Sequence, residues 1–147
     1  LHERRLGRHP QRGQRFDLSV WLEPTSPLRR PEDVTRTVEA LVASGRRSAM
    51  TVSPIPGHYT PERALCLEGD GRVRPFVADG FSYTARQAIP PRYHRNGLAY
   101  AATREGVLEA GDALWEDCVA VVVDRPVANV DDVIDLEWAA FLLSRES

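Results

Sequence analysis

Three short polar stretches in this chain carry residue types that do chemistry. In Glu23-Pro24-Thr25-Ser26-Pro27-Leu28-Arg29, a carboxylate, two hydroxyls and a guanidinium stand between an apolar, β-favouring run and a helical pattern. In open α/β sheets the carboxyl end of a strand is where ligands bind, and a guanidinium placed there can grip a carboxylate or phosphate through two parallel hydrogen bonds. The same residues also make a proline-stiffened turn whose hydroxyls satisfy nearby backbone groups, and both readings stand. The second stretch runs from Arg86-Gln87 through Arg92 to Arg95-Asn96-Gly97. Its arginines form a positive patch able to clamp an acid; taken alone, solvated loop arginines and an Asn-Gly turn ahead of a strand are the simpler account. In the third, Asn129-Val130-Asp131-Asp132-Val133-Ile134-Asp135, alternation puts Asn129 and Asp131 on one side of an extended segment, with Asp135 one helical turn beyond Asp131. Oxygen ligands so spaced can hold Mg²⁺, which needs only one or two protein carboxylates. Helix capping by Asn129 or Asp131, with acids placed against the dipole, is the competing account.

The elements that must position these groups follow from periodicity and punctuation. Residues 16–22 (FDLSVWL) read as a strand ending in the Pro-rich turn. A helix then starts near Pro31, carries Glu32 and Asp33 in its first turn and Val34, Val38, Leu41 and Val42 at helical spacing, and closes at Gly45. Residues 48–53 (SAMTVS) form the next strand, so that strand, helix and strand make a βαβ unit with parallel neighbouring strands. From residue 54 to 91, Pro and Gly punctuate two short apolar runs, 64–67 and 73–77, joined through Gly69-Asp70-Gly71 as a hairpin. Residues 98–102 resume as a strand, Thr103 caps a short helix through Leu108, and residues 119–123 (VAVVV) form a strand expected to be buried on both faces. A last helix, 131–143, places Ile134, Trp138, Phe141 and Leu142 on one stripe. The first fifteen residues, rich in Arg and poor in apolar side chains, suit a solvated helix end or a frayed terminus.

Composition narrows the chemistry. The 147 residues, 42% hydrophobic and 27% charged, suit one ordinary domain and exclude disorder, collagen and coiled coil. All 19 basic residues are Arg, which excludes a Schiff-base Lys, a lysine general base and a Walker-type phosphate Lys within the chain. A formal charge of −2 gives no electrostatic reason to expect nucleic acid or an anionic membrane as partner. No apolar run approaches the ~20 residues of a membrane span, and no signal-peptide core follows Leu1. A soluble, cytoplasmic protein is expected. Cys66 and Cys118 are far apart and have neither CxxC spacing nor a nearby His, so no disulfide framework or zinc site is indicated.

Taken in order, residues 22–29 (LEPTSPLR), a helix, SAMTVS, RQAIPPRYHRNGLAY and NVDDVID before a terminal helix resemble the acylneuraminate cytidylyltransferase family, the CMP-sialic acid synthetases. The resemblance covers residue 16 to the C-terminus. It implies an α/β, nucleotide-diphospho-sugar-transferase-like (Rossmann-like) fold with a mostly parallel sheet. It also implies transfer of CMP from CTP to the anomeric hydroxyl of a nonulosonic acid, with release of pyrophosphate. By position, Thr25, Ser26 and the catalytic Arg29 lie by nucleotide and sugar, with Glu23 where many relatives have Gln. Arg86, Gln87 and Asn96 line the sugar-acid pocket. Relatives bind Mg²⁺ through Asp-x-Asp; here Asn129 replaces the first Asp, leaving Asp131 as the catalytic metal ligand and Asp135 as a third acid. Arg63 would reach the sugar across a homodimer whose arm is the hairpin at 64–77, within an inserted segment, 54–95, of a single partial α/β domain, 1–147.

Negative charge builds on phosphoryl oxygens as the sugar hydroxyl attacks, so Mg²⁺ and positioned donors supply most of such catalysis; no general base is identifiable. Relatives also carry a Gly-rich loop with Arg and Lys around the CTP phosphates, and residues 1–15 do not match it. The expectation is therefore a C-terminal fragment of a cytidylyltransferase, or a degenerate relative. The alternative is a non-catalytic sugar-acid-binding or dimerisation module, favoured by Glu23 and Asn129.

Overall fold

The computed structural model describes residues 15–83 and 85–146. All but Arg15 of the N-terminal stretch read above lies outside them. The elements are β1 (Leu18–Trp21), α1 (Pro31–Ser44), β2 (Ser48–Pro54), β3 (Leu65–Leu67), β4 (Val73–Pro75), β5 (Tyr93–Thr103), α2 (Arg104–Glu109), β6 (Cys118–Val122) and α3 (Val133–Glu146), with short 3-10 turns between.

The central sheet has the order β1-β5-β2-β6. β2 and β6 pair in parallel, whereas β5 pairs antiparallel with both β1 and β2. Three of the four strands thus run one way, and β5 is inserted against them. This corrects the expectation that the strands of the βαβ unit would be neighbours: β5 lies between them. α1 packs on this sheet through Leu41, which meets Ala49 and Ala101, with Leu18, Val38 and Val119 around them. Ala101 on β5 and Ala49 on β2 are fully buried against Leu41, and their small size lets the helix approach closely.

Local signals fixed the ends of α1. Pro31 occupies the first turn and Gly45 closes the helix in the left-handed conformation, at φ 65°. Asp33 accepts from the Arg30 amide at 2.8 Å and is ion-paired with Arg125, which ties the start of α1 to the segment after β6. Thr103 caps α2 as expected, accepting from the Gly106 amide at 3.0 Å.

β5 begins at Tyr93, earlier than expected, so Arg95, Asn96 and Gly97 belong to a strand rather than to the loop ahead of one. It is not a regular strand. Its register against β2 shifts between Met50 and Val52, and Gly97 takes φ 72°. The Thr51 hydroxyl bridges the gap, accepting from the Ala99 amide at 3.0 Å and donating to the Ala99 carbonyl at 3.1 Å. This is a bulge, a device that bends a strand and re-aims its side chains.

Two expectations about burial are corrected. β6 is the sheet edge, and Ala120 and Val122 face solvent while Val121 is buried, so the VAVVV run is not covered on both faces. α3 starts at Val133 and packs through Ala139 and Leu142 on Leu28, Ala128 and Val130. Ile134 is 66% exposed and Phe141, stacked on Trp138, is 49% exposed, so the predicted stripe is largely open. The hairpin β3-β4 is a separate two-stranded sheet on the excursion between β2 and β5. Among the described residues no helix is long and apolar enough to cross a membrane.

Candidate functional site

The carboxyl ends of β1, β2 and β6 meet the bulge of β5, and there the 23–29 turn, Asn96-Gly97 and the 129–131 segment converge. The turn after β1 closes through the Ser26 amide on the Glu23 carbonyl at 3.3 Å, and the Val130 amide reaches across to the Thr25 carbonyl at 2.8 Å. That backbone bond brings the third polar stretch against the first. Asn129 Oδ1 accepts from Thr25 Oγ1 at 2.8 Å and from Ser26 Oγ at 3.3 Å, while Asn129 Nδ2 donates to Asp131 Oδ2 at 3.3 Å. Ser26 is buried at 2% exposure; Asn129 and Asp131 open to solvent.

Gly97 is the floor of the site. A Cβ there would stand 2.6 Å from Ser26 Oγ, 2.7 Å from Glu23 Oε2 and 3.3 Å from Asn129 Oδ1. Oxygens from two chain segments far apart in sequence thus pack close against Gly97, an approach that only glycine allows. Asn96, 2% exposed, holds the bulge beneath it: Nδ2 donates to Ser53 Oγ at 2.9 Å and Oδ1 accepts from the Leu98 amide at 3.2 Å. Its amide is committed to the fold, leaving it a positioning residue beneath the site.

Arg29 is likewise committed. Its guanidinium donates to the Glu23 and Leu98 carbonyls and, at 3.5 Å, to the Gly97 carbonyl. Rather than presenting a free fork to an anion, it clamps the turn onto the bulge and so fixes where Glu23, Thr25 and Ser26 sit. Asp135 Oδ2 accepts from the Asp131 and Asp132 amides at 3.0 and 3.2 Å, and Asp132 Oδ1 accepts from the Asp135 amide at 3.1 Å. That reciprocal pair is a capping box: Asp132 is the cap, where Asn129 or Asp131 was expected. Among the described residues no three of His, Cys, Asp and Glu gather to hold a metal. The donor set at Gly97 is a carboxylate, an amide carbonyl and a hydroxyl, hard oxygens of the kind Mg²⁺ takes.

Arg63 and Gln87 do not join this site. Both are exposed on the excursion, on the turns Pro61–Arg63 and Arg86–Ala88, without a side-chain hydrogen bond or ion pair among the described residues. The side chain of Arg86 lies outside those described. Arg92 pairs with the buried Glu62, Nε donating to Oε1 at 2.7 Å, and that guanidinium holds the Glu62 carboxyl below its ordinary value of 4.5. Sequence reasoning did not find Ser53, or the aromatic corner where Trp115 meets Trp21 and Tyr100 edge-on at 6.2 and 5.6 Å. Burial pushes the Tyr100 phenol up, and the nearby Glu23 charge adds to it. Cys66 and Cys118 are both half-buried; burial raises the Cys118 thiol, which makes it a poor nucleophile.

No protein-family model matches the chain. Over 125 residues it is 27% identical to CMP-N,N'-diacetyllegionaminic acid synthase of Legionella pneumophila, covering 84% of this chain and 52% of that protein. Over 133 residues it is 24% identical to post-translational flagellin modification protein B of Campylobacter coli, covering 90% and 55%. The chain is thus similar to a CMP-nonulosonic acid synthase and to a flagellin modification protein. It spans about half the length of the curated relatives it matches. Among solved structures, CMP:2-keto-3-deoxy-manno-octonic acid synthetase complexed with CTP superposes with a TM-score of 0.57 at 15% identity, covering 89% of this chain and 63% of that one. The α/β fold expected from the sequence is therefore shared with that solved structure.

Proposed function

We propose that this chain forms the sugar-facing half of a cytidylyltransferase that moves CMP from CTP to a nonulosonic acid and releases pyrophosphate. The observation that carries the reading is the junction at Gly97, where the 23–29 turn and the 129–131 segment, distant in sequence, are bound together at the carboxyl ends of the parallel strands. In this reading Thr25 and Ser26 offer hydroxyls at the rim, Arg29 and Asn96 hold the backbone that shapes the floor, and Asp131 is the exposed carboxylate beside Asn129. Mg²⁺, when bound to these oxygens, neutralises charge that develops on phosphoryl oxygens. Thr25 and Asn129 keep their partners fixed before the reaction, which is how positioned groups lower a barrier without reorganising. Arg63 would reach the sugar acid from a second copy, so a homodimer through the exposed hairpin belongs to the same proposal.

The test is calorimetric and kinetic. The purified 147-residue chain, titrated with CMP and separately with N-acetylneuraminate in the presence of Mg²⁺, is expected to bind at least one of them. Pyrophosphate release from CTP and N-acetylneuraminate is expected far below the rate of a whole synthetase. Binding of neither ligand at millimolar concentration overturns the reading; turnover at ordinary enzyme rates, about 1–10³ s⁻¹, overturns the assignment as half of the catalyst.

A further inference from the structure

We infer that the outer edge of β1 pairs antiparallel with β1 of a second copy of this chain, about a two-fold axis at Ser19. The inference rests on the sheet and is independent of the cytidylyltransferase reading and of the hairpin. β1 and β6 are the two edges of the central sheet. Along β1 the Arg104 amide donates to the Asp17 carbonyl at 2.7 Å, and Ser19 and Trp21 stand opposite Ala102 and Tyr100. Antiparallel alternation then turns the N–H and C=O groups of Asp17, Ser19 and Trp21 toward β5 and those of Leu18, Val20 and Leu22 outward. Among the described residues those outward groups have no partner. The opposite edge is closed. The Val123 amide donates to the Val52 carbonyl at 2.9 Å, so the Val122 carbonyl points away from β2, and Arg36 of α1 donates to it at 3.3 Å. A charged side chain laid on an edge is one way natural sheets keep it from pairing.

β1 has no such device. Residues 18–22 (LSVWL) carry no charge, proline or glycine. α1 packs mainly over β5, β2 and β6, which leaves Val20 39% and Leu22 48% exposed, so a strand laid beside β1 meets an apolar flank. The flanking charges select a second copy and its register. An axis at Val20 would set Asp17 opposite the partner's Glu23, and like charges directly opposite are destabilising. An axis at Ser19 sets Asp17 opposite the partner's Trp21 and brings Arg15 to the partner's Glu23, once on each side of the axis. In that register Leu18 and Val20 exchange backbone hydrogen bonds with the partner's Val20 and Leu18, and the two Ser19 residues form the close, non-hydrogen-bonded pair. A joint of this length belongs to the small, transient class of interfaces, under about 1,200 Å², so it forms between micromolar and millimolar concentration.

Amide hydrogen exchange on the intact 147-residue chain, followed by NMR from micromolar to millimolar protein, reads the joint directly. The Leu18 and Val20 amides are expected to slow at least tenfold across that range, while those of Ser19 and Trp21, bonded to β5, are slow throughout. Val20→Lys places a charge on the open edge and is expected to abolish the concentration dependence with the melting temperature unchanged. A second measurement fixes the register. In a Cys66→Ser/Cys118→Ser background, Ser19→Cys is expected to cross-link to its copy under mild oxidation, since the non-hydrogen-bonded pair holds Cα atoms about 4.5 Å apart, within disulfide reach; Val20→Cys is expected to cross-link poorly. Leu18 and Val20 amides that exchange at one rate across the range overturn the inference: fast at every concentration, the edge stays open; slow at every concentration, another segment of the same chain covers it. A concentration dependence that survives V20K overturns it too, as does failure of S19C to cross-link or cross-linking of V20C in its place.

Discussion

The sheet and the excursion it carries are built on different terms. In the sheet, α1 and the inner strands bury alanines and Leu41 completely, and even the polar residues, Thr37, Ser48, Thr51 and Asn96, are buried with their hydrogen bonds made inside the layer. In the excursion, Leu67 is 76% exposed and Phe76 62% exposed, and the hairpin strands are three residues each. Its attachment is at the base, through the Ile55 amide on the Arg92 carbonyl at 2.8 Å and the Glu62–Arg92 pair. The site's oxygens belong to the first region, where packing fixes them. The arginine and glutamine expected to touch the sugar belong to the second, which offers them no internal support.

The largest break is expected where the sheet region is electrostatically pinned. Asp33→Ala removes a buried carboxylate that accepts from the Arg30 amide and pairs with Arg125, whose Nη1 is already buried without a partner. Leaving that guanidinium uncompensated is expected to cost about 3–5 kcal/mol of unfolding free energy, read as a lower urea midpoint with an unchanged slope. A loss under about 1 kcal/mol would show the pair to be solvated and the region less rigid than its burial implies.

A smaller and local break is expected in the excursion. Arg92 depresses the Glu62 carboxyl, so the pair contributes stability above the unfolded value near 4.5 and loses it as pH falls through the lower folded value. Amide exchange of Ile55 and Phe76 is expected to speed up on acidification below pH 4.5, while exchange in the inner strands stays slow. In Glu62→Gln the excursion is expected to be fast at neutral pH and to lose its acid response. Acid-induced opening of β2 and β5 together with the hairpin would mean one cooperative unit instead of two.

The same division runs through what could be read from the amino-acid sequence. α1, α2 and the hairpin were legible because each is announced by its own neighbours: Pro31 and Gly45, Thr103, and Gly69-Asp70-Gly71. The insertion of β5 between β1 and β2 was not, because strand order is a non-local pairing that no short pattern encodes. Asn96-Gly97 shows the limit most sharply. A turn and a bulge both need a positive φ at the glycine, so the dipeptide was read as the commoner turn, and the close approach of Ser26, Glu23 and Asn129 that it permits became visible only with the strands in place. The clamp made by Arg29 was not legible, since a guanidinium bound to three backbone carbonyls looks the same in sequence as one awaiting an anion. The α3 stripe had the right period and the wrong destination: periodicity predicts a face, and whether anything covers it depends on the rest of the molecule.

The smallest expected effect sharpens the contrast from the excursion side. Leu67 lies on β3, outside both buried clusters, and is three-quarters exposed, so Leu67→Ser returns little apolar area to water. Its cost to unfolding in one isolated chain is expected to be within about 0.5 kcal/mol, the range of surface substitutions. Light scattering on the same variant asks the complementary question. If the hairpin is the arm of a homodimer, its apolar face is covered in the assembly, and L67S is expected to shift the protein toward monomer at micromolar concentration while its monomer stability stays put. A substitution that lowers stability by more than about 1 kcal/mol in a monomeric sample would instead place Leu67 in a core, and the two regions would no longer differ in kind.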